Sequence, residues 1–340
     1  MNEFYNKLKH FEETEKVPRE IYYHYTSLEA LYEIVKSHTF RLMSLKSSND
    51  STELFYKPET FLSDLSNICE NEKDNGFKLF FNAMKRSLDE HSDYFFNYTK
   101  MKREPYALCL SSKRDNLTHW DRYSNNCRGV CIGFNVAALK VYYRRMNLDA
   151  FEEIYFNFRK ALYSTKDIEY KIKLRMVQSI EWFKEIQKMS PITPIDEIIS
   201  ESGYIPLSNI CANIMRFAKN PSFIDEDEIR VYYDANTIKE NLRIIDSMKG
   251  EISNDLYQNV RNNFFKIGKS FKIQEEHFAM TRSGIRSYHN LCLDEIWGSG
   301  VIPEIILGPM CVQTKNELHK FLKHNGLEGT KVIASSVPIR

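Results

Sequence analysis

The chain has 340 residues, of which 42% are hydrophobic and 27% are charged, a composition typical of a folded globular protein with a sizeable core. Its 47 lysines and arginines balance 46 aspartates and glutamates, and the net charge of +1 excludes a global field for nucleic acid or an anionic membrane. The sequence lacks an apolar run of about 18 residues and the basic, then apolar, start of a secretory signal. We therefore expect a cytosolic protein.

The seven cysteines are odd in number and scattered, and several lie in apolar, strand-like runs. This usage is typical of reduced, buried thiols in a cytosolic protein. Cys127 and Cys131, with His119 nearby, form only a weak metal pattern, because zinc sites usually show tighter pairs and a second pair elsewhere. We expect no metal centre.

The first half of the chain alternates between helix and strand patterns. Residues 1–15 favour a charged amphipathic helix, and residues 21–26 favour a strand. A second helix with an apolar stripe, a second strand near residues 40–43 and two helical stretches over about 53–99 follow. Residues 106–111 form a nearly continuous apolar run, which predicts a central strand that is covered on both faces.

The strand over residues 21–26 places two polar side chains beside a helix N-terminus. His24 and Thr26 alternate with Tyr23 and Tyr25, so the two pairs point to opposite faces. A strand end at a helix N-terminus is a common place for a nucleotide or phosphate to bind. Alternatively, Thr26 only caps the helix, because Thr26–Glu29 has the pattern of a capping box.

The middle of the chain contains a possible aromatic platform. Trp120 and Tyr123 lie three residues apart on a short predicted helix and share a face, so they could stack on a base or a nicotinamide ring. The alternative is that both rings belong to the core. A strand over residues 130–134 follows, and then a largely helical segment over about 135–218, with a possible strand near residues 160–163.

The most chemically distinctive strand pattern begins near residue 226. A period of two places Glu226, Glu228, Arg230 and Tyr232 on one face, where the guanidinium could hold one carboxylate oriented and ionised. The alternative is a solvated acidic edge strand whose charges deter edge pairing.

The remaining elements complete an α+β pattern. Strands are predicted between about 271 and 293, at 304–307 and at 331–334, and a helix with a capping box at Thr314 and Glu317 ends at Gly326. We predict a single α+β domain over residues 1–340 with a mixed, largely antiparallel central sheet. The segment over about 135–218 is a large helical insertion or sub-lobe within it.

Six short motifs in this order resemble a bacterial family catalogued as domain of unknown function 2971, over most of the chain. The motifs are His24–Ser27, Asn49–Glu53, Cys109–Ser111 with Trp120 and Tyr123, Gly129–Phe134, Lys219–Phe223 with Glu226, Glu228 and Arg230, and Ile305–Pro309. Asn220, Ser51 and Ile229 depart from the residues that are frequent there. The resemblance implies a family without an assigned reaction.

A second resemblance implies a mechanism. The first strand ends in a histidine that is followed, after one residue, by a threonine, and this pattern is similar to the first motif of the ADP-ribosyltransferase superfamily. The resemblance implies an ADP-ribosyltransferase-like core with NAD as the substrate. On this resemblance, His24 binds ribose, Thr26 helps to hold nicotinamide, and Tyr123 or Trp120 stacks on the ring. Glu228 takes the role of the catalytic glutamate, with Glu226 as its competitor. The acceptor is a protein or a nucleic acid, in a defence, toxin or stress role.

These residue types suit the chemistry, because a carboxylate on the ribose 2-hydroxyl stabilises the oxocarbenium character that develops when nicotinamide leaves. The hypothesis requires His24 and Glu228 to face one cleft within roughly 10 Å. Two alternatives stay open. One is a non-catalytic sensor that binds a nucleotide or nucleic acid, and the other is a metal-dependent nuclease that uses Glu226, Glu228, His24 and Asp50.

Overall fold

The computed structural model describes residues 21–47, 56–101, 105–139, 156–189, 194–234, 276–281 and 284–338, with residues 192, 246, 249, 254 and 258 as isolated positions. Its helices are α1 (Leu28–Ser37), α2 (Pro58–Asn71), α3 (Asn75–Glu90), α4 (Ser92–Met101), α5 (Leu117–Tyr123), α6 (Thr165–Met189), α7 (Ile195–Ser202), α8 (Tyr204–Phe217) and α9 (Lys315–His324). Its strands are β1 (Ile21–Thr26), β2 (Thr39–Ser44), β3 (Pro105–Ser111), β4 (Val130–Asn135), β5 (Phe156–Lys160), β6 (Glu228–Asp234), β7 (His277–Thr281), β8 (Gly284–Cys292), β9 (Glu304–Leu307) and β10 (Lys331–Ala334).

These elements form two compact units. The helical unit takes its described elements from residues 50–104 and 161–224, and the sheet unit takes them from residues 17–49, 105–160 and 225–340. Within the segment predicted as a helical insertion, the structure has the helices α6, α7 and α8. The sequence pattern did not predict that α2, α3 and α4, which precede β3, belong to the same unit as α6, α7 and α8.

The helical unit is built from amphipathic helices around one apolar cluster. The stripe of α3 contributes Phe81 and Met84, and α6 contributes Ile172 and Phe183 to the same cluster. Asp74 begins α3 by accepting a hydrogen bond from the backbone N–H of Phe77, which satisfies a donor that the helix leaves open. The helical stretches predicted over 53–99 are three helices, because the chain is interrupted after Asn71 and at His91.

The strands that the structure describes in the sheet unit form one ten-stranded sheet. The main strand order is β10-β9-β4-β1-β3-β2-β8-β7, and β6 pairs with β3 and β5 away from this path. Every pairing is antiparallel except that of β9 with β10. The prediction of a mixed, largely antiparallel sheet in an α+β protein is therefore confirmed.

One face of this sheet is apolar and is covered by helices. Alternate residues of the strands, such as Tyr22, Leu108, Ile132 and Val231, pack in one cluster with residues of α1 and α9. The opposite face is different, because the register aligns Tyr23 with Ser111 and Ser111 with Glu228. Directly paired residues point to the same side of a sheet, so a polar row crosses β1, β3 and β6 on this second face.

Several local predictions need correction. Ser27, and not Thr26, caps α1, since its hydroxyl accepts from the backbone N–H of Ala30, whereas Thr26 is the last residue of β1. The strand expected near residues 160–163 is β5, which ends at Lys160. The cap at Thr314 is confirmed by its bond from the N–H of Glu317, and Gly326 follows α9 with a positive φ. The predicted helix over residues 1–15 lies outside the described residues.

No helix in the described ranges is long and apolar enough to cross a membrane.

Candidate functional site

The centre of the sheet contains a split along one edge of β3. β1 pairs with β3 only at Ser111, and β2 pairs with the same edge only at Tyr106 and Ala107. The two strands therefore meet this edge at opposite ends, and the split lies between them beside residues 108–110. Sheet carbonyls need a hydrogen-bond donor, and a side chain can supply one where two strands diverge.

His24 occupies this split. Its ring atom Nδ1 lies 3.0 Å from the carbonyl oxygen of Cys109, and its ring meets Phe40 edge-on at 6.0 Å. A carbonyl only accepts, so Nδ1 carries the proton, and burial lowers the pKa of His24 below its ordinary value. The neutral ring therefore presents an acceptor at Nε2, which makes no hydrogen bond to any residue that the structure describes.

The polar face opens at Cys109. This residue is exposed, although the residues on either side of it in β3 are buried. Cys109 is paired with Arg230 of the neighbouring strand β6. Its carbonyl oxygen accepts a hydrogen bond from His24 Nδ1 in the split. The middle of β3 is thus accessible at Cys109.

Glu228 and Arg230 form a buried ion pair on the polar face. The two guanidinium nitrogens donate to the two carboxylate oxygens at 3.1 and 3.2 Å, and the side chains are 3% and 0% exposed. A two-point contact of this kind fixes the plane of the carboxylate. The alternative of a solvated acidic edge strand is wrong, because β6 lies between β3 and β5.

Three consecutive acidic residues have three different sets of partners. Glu226 ends a 3₁₀-helix over residues 221–226, and Asp227 has a φ of 42°. This turn directs Asp227 to Ser112 and to Lys160, whose Nζ lies 2.7 Å away. The predicted strand face that included Glu226 is therefore wrong: β6 begins at Glu228. Glu228, Arg230 and Tyr232 do share a face.

Glu226 is bound to α5 and to β3. Its carboxylate accepts the hydroxyl proton of Tyr123, and its carbonyl accepts from Ser111 Oγ at 2.7 Å. His119 Nε2 lies 3.2 Å from the same carbonyl. Residues that are about 100 positions apart in the chain thus meet at the start of β6.

The two aromatic candidates on α5 have different environments. Trp120 is fully buried, packs edge-on against Tyr25 at 4.9 Å, and donates its indole N–H to Asp115. Tyr123 is 37% exposed and contacts the ring of His119. Trp120 is therefore a core residue, as the alternative interpretation proposed. Of these two rings, that of Tyr123 is accessible to a ligand.

The predicted site residues are not all on one side of the sheet. His24 and Thr26 pair with Ile132 and Val130 on the apolar face, whereas Glu228 lies on the polar face. The sequence-based hypothesis required His24 and Glu228 to face one cleft, and the register contradicts this requirement because it puts the two residues on opposite faces of the sheet. The binding and catalytic roles of these residues stay predictions.

Sequence reasoning missed three contributors to this region. Ser111 and Cys109 were treated as members of an apolar strand, and His119 was considered only as a weak metal ligand. Their contacts with Glu226 and β6 depend on long-range pairing, which leaves no local signal in the sequence.

Among the residues that the structure describes, no three histidines, cysteines or acidic residues are grouped so that they could hold a metal ion. Asp50, which the nuclease hypothesis included, lies outside the described residues.

The chain was compared with curated proteins, solved structures and protein families. No curated protein and no solved structure matches the chain. Residues 119–231, a stretch that contains every predicted site residue except His24 and Thr26, match the family described as Protein of unknown function (DUF2971).

Proposed function

We propose that this protein is an NAD-dependent ADP-ribosyltransferase whose NAD site is the split between β1 and β2. The observation that carries the proposal is the position of His24 in this split, with Nδ1 held by the carbonyl of Cys109. The fixed tautomer makes Nε2 an acceptor, so a ribose hydroxyl can donate to it. A neutral ring suits a sugar hydroxyl, and burial favours that neutral form.

The chemistry assigned to the polar face is the cleavage of the bond between ribose C1′ and nicotinamide nitrogen. Nicotinamide leaves with the bonding electrons as a neutral molecule, and an acceptor nucleophile then forms a bond to C1′ and loses its proton to a carboxylate. Glu228, oriented by Arg230, is the first candidate for stabilising the developing positive charge. Glu226 is the second, with Tyr123 as the accessible ring for nicotinamide.

The proposal requires NAD to enter where β1 separates from β3. His24 and Glu228 stand on opposite faces of the sheet, so the requirement of a single cleft is not met. The proposal therefore holds only if one NAD molecule in that opening contacts both residues. The exposed Cys109 lies at the same place, so bound NAD should cover its thiol. The proposed acceptor is a protein or a nucleic acid, in a defence, toxin or stress role.

The primary experiment measures NAD binding by calorimetry and nicotinamide release by chromatography. The variants are Glu228→Gln, Glu226→Gln and His24→Ala, with Glu328→Gln as a control at an exposed carboxylate. Loss of the catalytic carboxylate should lower cleavage by about a hundredfold or more. Melting curves of each variant separate loss of chemistry from loss of folding. The proposal fails if the folded wild type binds no NAD, or if both glutamine variants cleave NAD at the wild-type rate.

A footprint at Cys109 tests the location of the site independently. A thiol-specific reagent should modify Cys109 in the free protein, and saturating NAD should slow that modification. The Cys109→Ser variant identifies the signal against Cys69 and Cys311, the other cysteines with partial exposure. Unchanged labelling in the presence of bound NAD would place the ligand elsewhere.

A non-catalytic nucleotide-binding sensor is the second candidate, and the Glu228–Arg230 pair favours it. A carboxylate that is almost fully buried and already satisfied by a guanidinium is less free to bond a ribose hydroxyl. This candidate predicts that NAD raises the melting temperature and that no nicotinamide is released.

A further inference from the structure

His119 connects the start of α5 to the turn that carries Glu226. It is a buried residue, and its ring packs against Tyr25 at 5.0 Å and Tyr123 at 5.8 Å between centroids. Ring atom Nδ1 lies 3.0 Å from Asn116 Oδ1, and Nε2 lies 3.2 Å from the carbonyl oxygen of Glu226. The two ring nitrogens therefore face two different partners, the N-cap of α5 and the turn at Glu226.

Both of these partners are acceptors. Asn116 caps α5, so its Oδ1 already accepts the backbone N–H of His119 at 3.3 Å, and this identifies the atom as oxygen. The other partner, on Glu226, is a backbone carbonyl, which has no proton to give. A neutral imidazole has a single N–H and can donate to one of the two oxygens, whereas an imidazolium donates to both.

The surroundings oppose the charged form. Burial is the main cause that lowers the pKa of His119, and the charges of Lys113 and Arg122 act in the same direction. The bond to the carbonyl of Glu226 and the charge of its carboxylate act in the opposite direction. The ring is therefore neutral near pH 7 and gains its second N–H only on acidification below its ordinary range near 6.5.

We infer that His119 is a positioning residue that sets the orientation of the Tyr123–Glu226 pair through its bond to the Glu226 carbonyl. The inference rests on the proposed function, because it assigns a proton-dependent regulation to the same site. Below the pKa of the ring both bonds form and the turn at Glu226 is held at two points, by His119 and by Ser111. Above it, the bond to Glu226 competes with the bond to Asn116 for one proton.

The test compares His119→Gln with His119→Leu. A glutamine amide can donate from the position of Nε2 to the Glu226 carbonyl and does not titrate, whereas leucine fills a similar space without a donor. His324→Gln, at an exposed position on α9, is the control for histidine replacement in general. NAD cleavage and NAD affinity are measured from pH 5 to pH 8, and unfolding curves confirm that each variant is folded.

The leucine variant should lose about tenfold to a hundredfold in turnover at all pH values, since a misplaced catalytic group has a cost of this order. The glutamine variant should retain most of the turnover. The ratio of wild-type to glutamine-variant turnover should rise as the pH falls through the pKa of His119, and taking this ratio removes the titration of His24. The inference is overturned if the leucine variant matches the wild type in rate and pH profile.

A measurement without NAD distinguishes failure of this inference from failure of the proposed function. In protein with ¹⁵N-labelled histidine, the ring signals that disappear in His119→Gln report the two N–H groups. On acidification a second ring N–H should appear, and the backbone amide of Asp227, next to Glu226, should shift with the same midpoint. If NAD is neither bound nor cleaved but these shifts occur, the positioning role stands alone. If the amide of Asp227 does not follow His119, the role is refuted even in an active enzyme.

Discussion

The two faces of the central sheet are stabilised by different kinds of interaction. On the apolar face, Tyr22, Leu108 and Ile132 are buried among residues of α1 and α9, and the stabilisation depends on the apolar area removed from water. On the polar face, Glu228 and Arg230 are equally buried, but each depends on a specific partner. Apolar packing tolerates a change of shape, whereas a buried ion pair does not tolerate the loss of one member.

This difference explains why the candidate chemistry concentrates on one face and at one gap. Directional bonds fix side chains in defined orientations, which a catalytic or binding group needs. His24 is a polar residue on the apolar face, and it lies at the split, where β1 and β2 meet opposite ends of one edge of β3. The five predictions below probe this contrast, beginning with the largest expected effect.

The substitution Arg230→Met should be the most destabilising. It leaves the buried carboxylate of Glu228 without its guanidinium, at a cost of about 3–5 kcal/mol in the free energy of unfolding. Urea unfolding measures the change. Lys323→Met breaks an exposed pair with Glu328 and should barely change stability. Equal effects of the two substitutions would contradict the contrast between buried and exposed pairs.

Leu42→Ala tests the apolar face. Leu42 is fully buried in the cluster, so the cavity should lower the free energy of unfolding by about 2–5 kcal/mol. The volume-conserving Leu42→Met should cost less than about 1.5 kcal/mol. A methionine variant as unstable as the alanine variant would show that this face also depends on exact geometry.

Gly129→Ala tests the close approach of β1 and the chain before β4. A Cβ at Gly129 would clash with the carbonyl oxygen of Thr26, so the backbone has to move. The cost should exceed about 1 kcal/mol in urea unfolding. Gly329→Ala has open space around its Cβ and is the matched control. A stable Gly129→Ala protein would mean that the junction of β1 and β4 has room for a Cβ at this position.

Ser27→Ala identifies the cap of α1. Loss of the hydroxyl that accepts from Ala30 should cost about 1 kcal/mol. Thr26→Val, which leaves that cap in place, should cost less in the same thermal unfolding assay. The reverse order would restore Thr26 as the capping residue.

The smallest effect concerns pH. Burial lowers the pKa of His24, so between its folded value and the ordinary value near 6.5 the unfolded chain binds more protons than the folded protein. Stability should therefore rise with pH in this window and decline as the pH falls through the folded pKa. His24→Gln should flatten this slope in urea titrations between pH 5 and 7.5, leaving the contribution of His119, which has the same sign. An unchanged slope would show that His24 is not titrating as described.

The sequence predicted much of the sheet and little of the site. The strand at residues 106–111 was recognisable from its continuous apolar residues, and β3 is indeed central. Glu228 and Arg230 were recognised as co-facial because they lie two residues apart in one strand. Glu226 was misplaced, because the positive φ of Asp227 interrupts the period of two just before β6.

The sequence by itself determined the elements, since helix and strand periodicity, caps and apolar runs act over a few residues. It therefore predicted the α+β class, β1, β6 and the capped helix α9. Only the tertiary structure decided which groups meet: that β1 and β2 divide one edge of β3, that His24 fills the gap, and that His119 reaches Glu226. The physical reason is that these contacts join residues far apart in the chain, and the register of paired strands sets the side of the sheet on which each side chain lies.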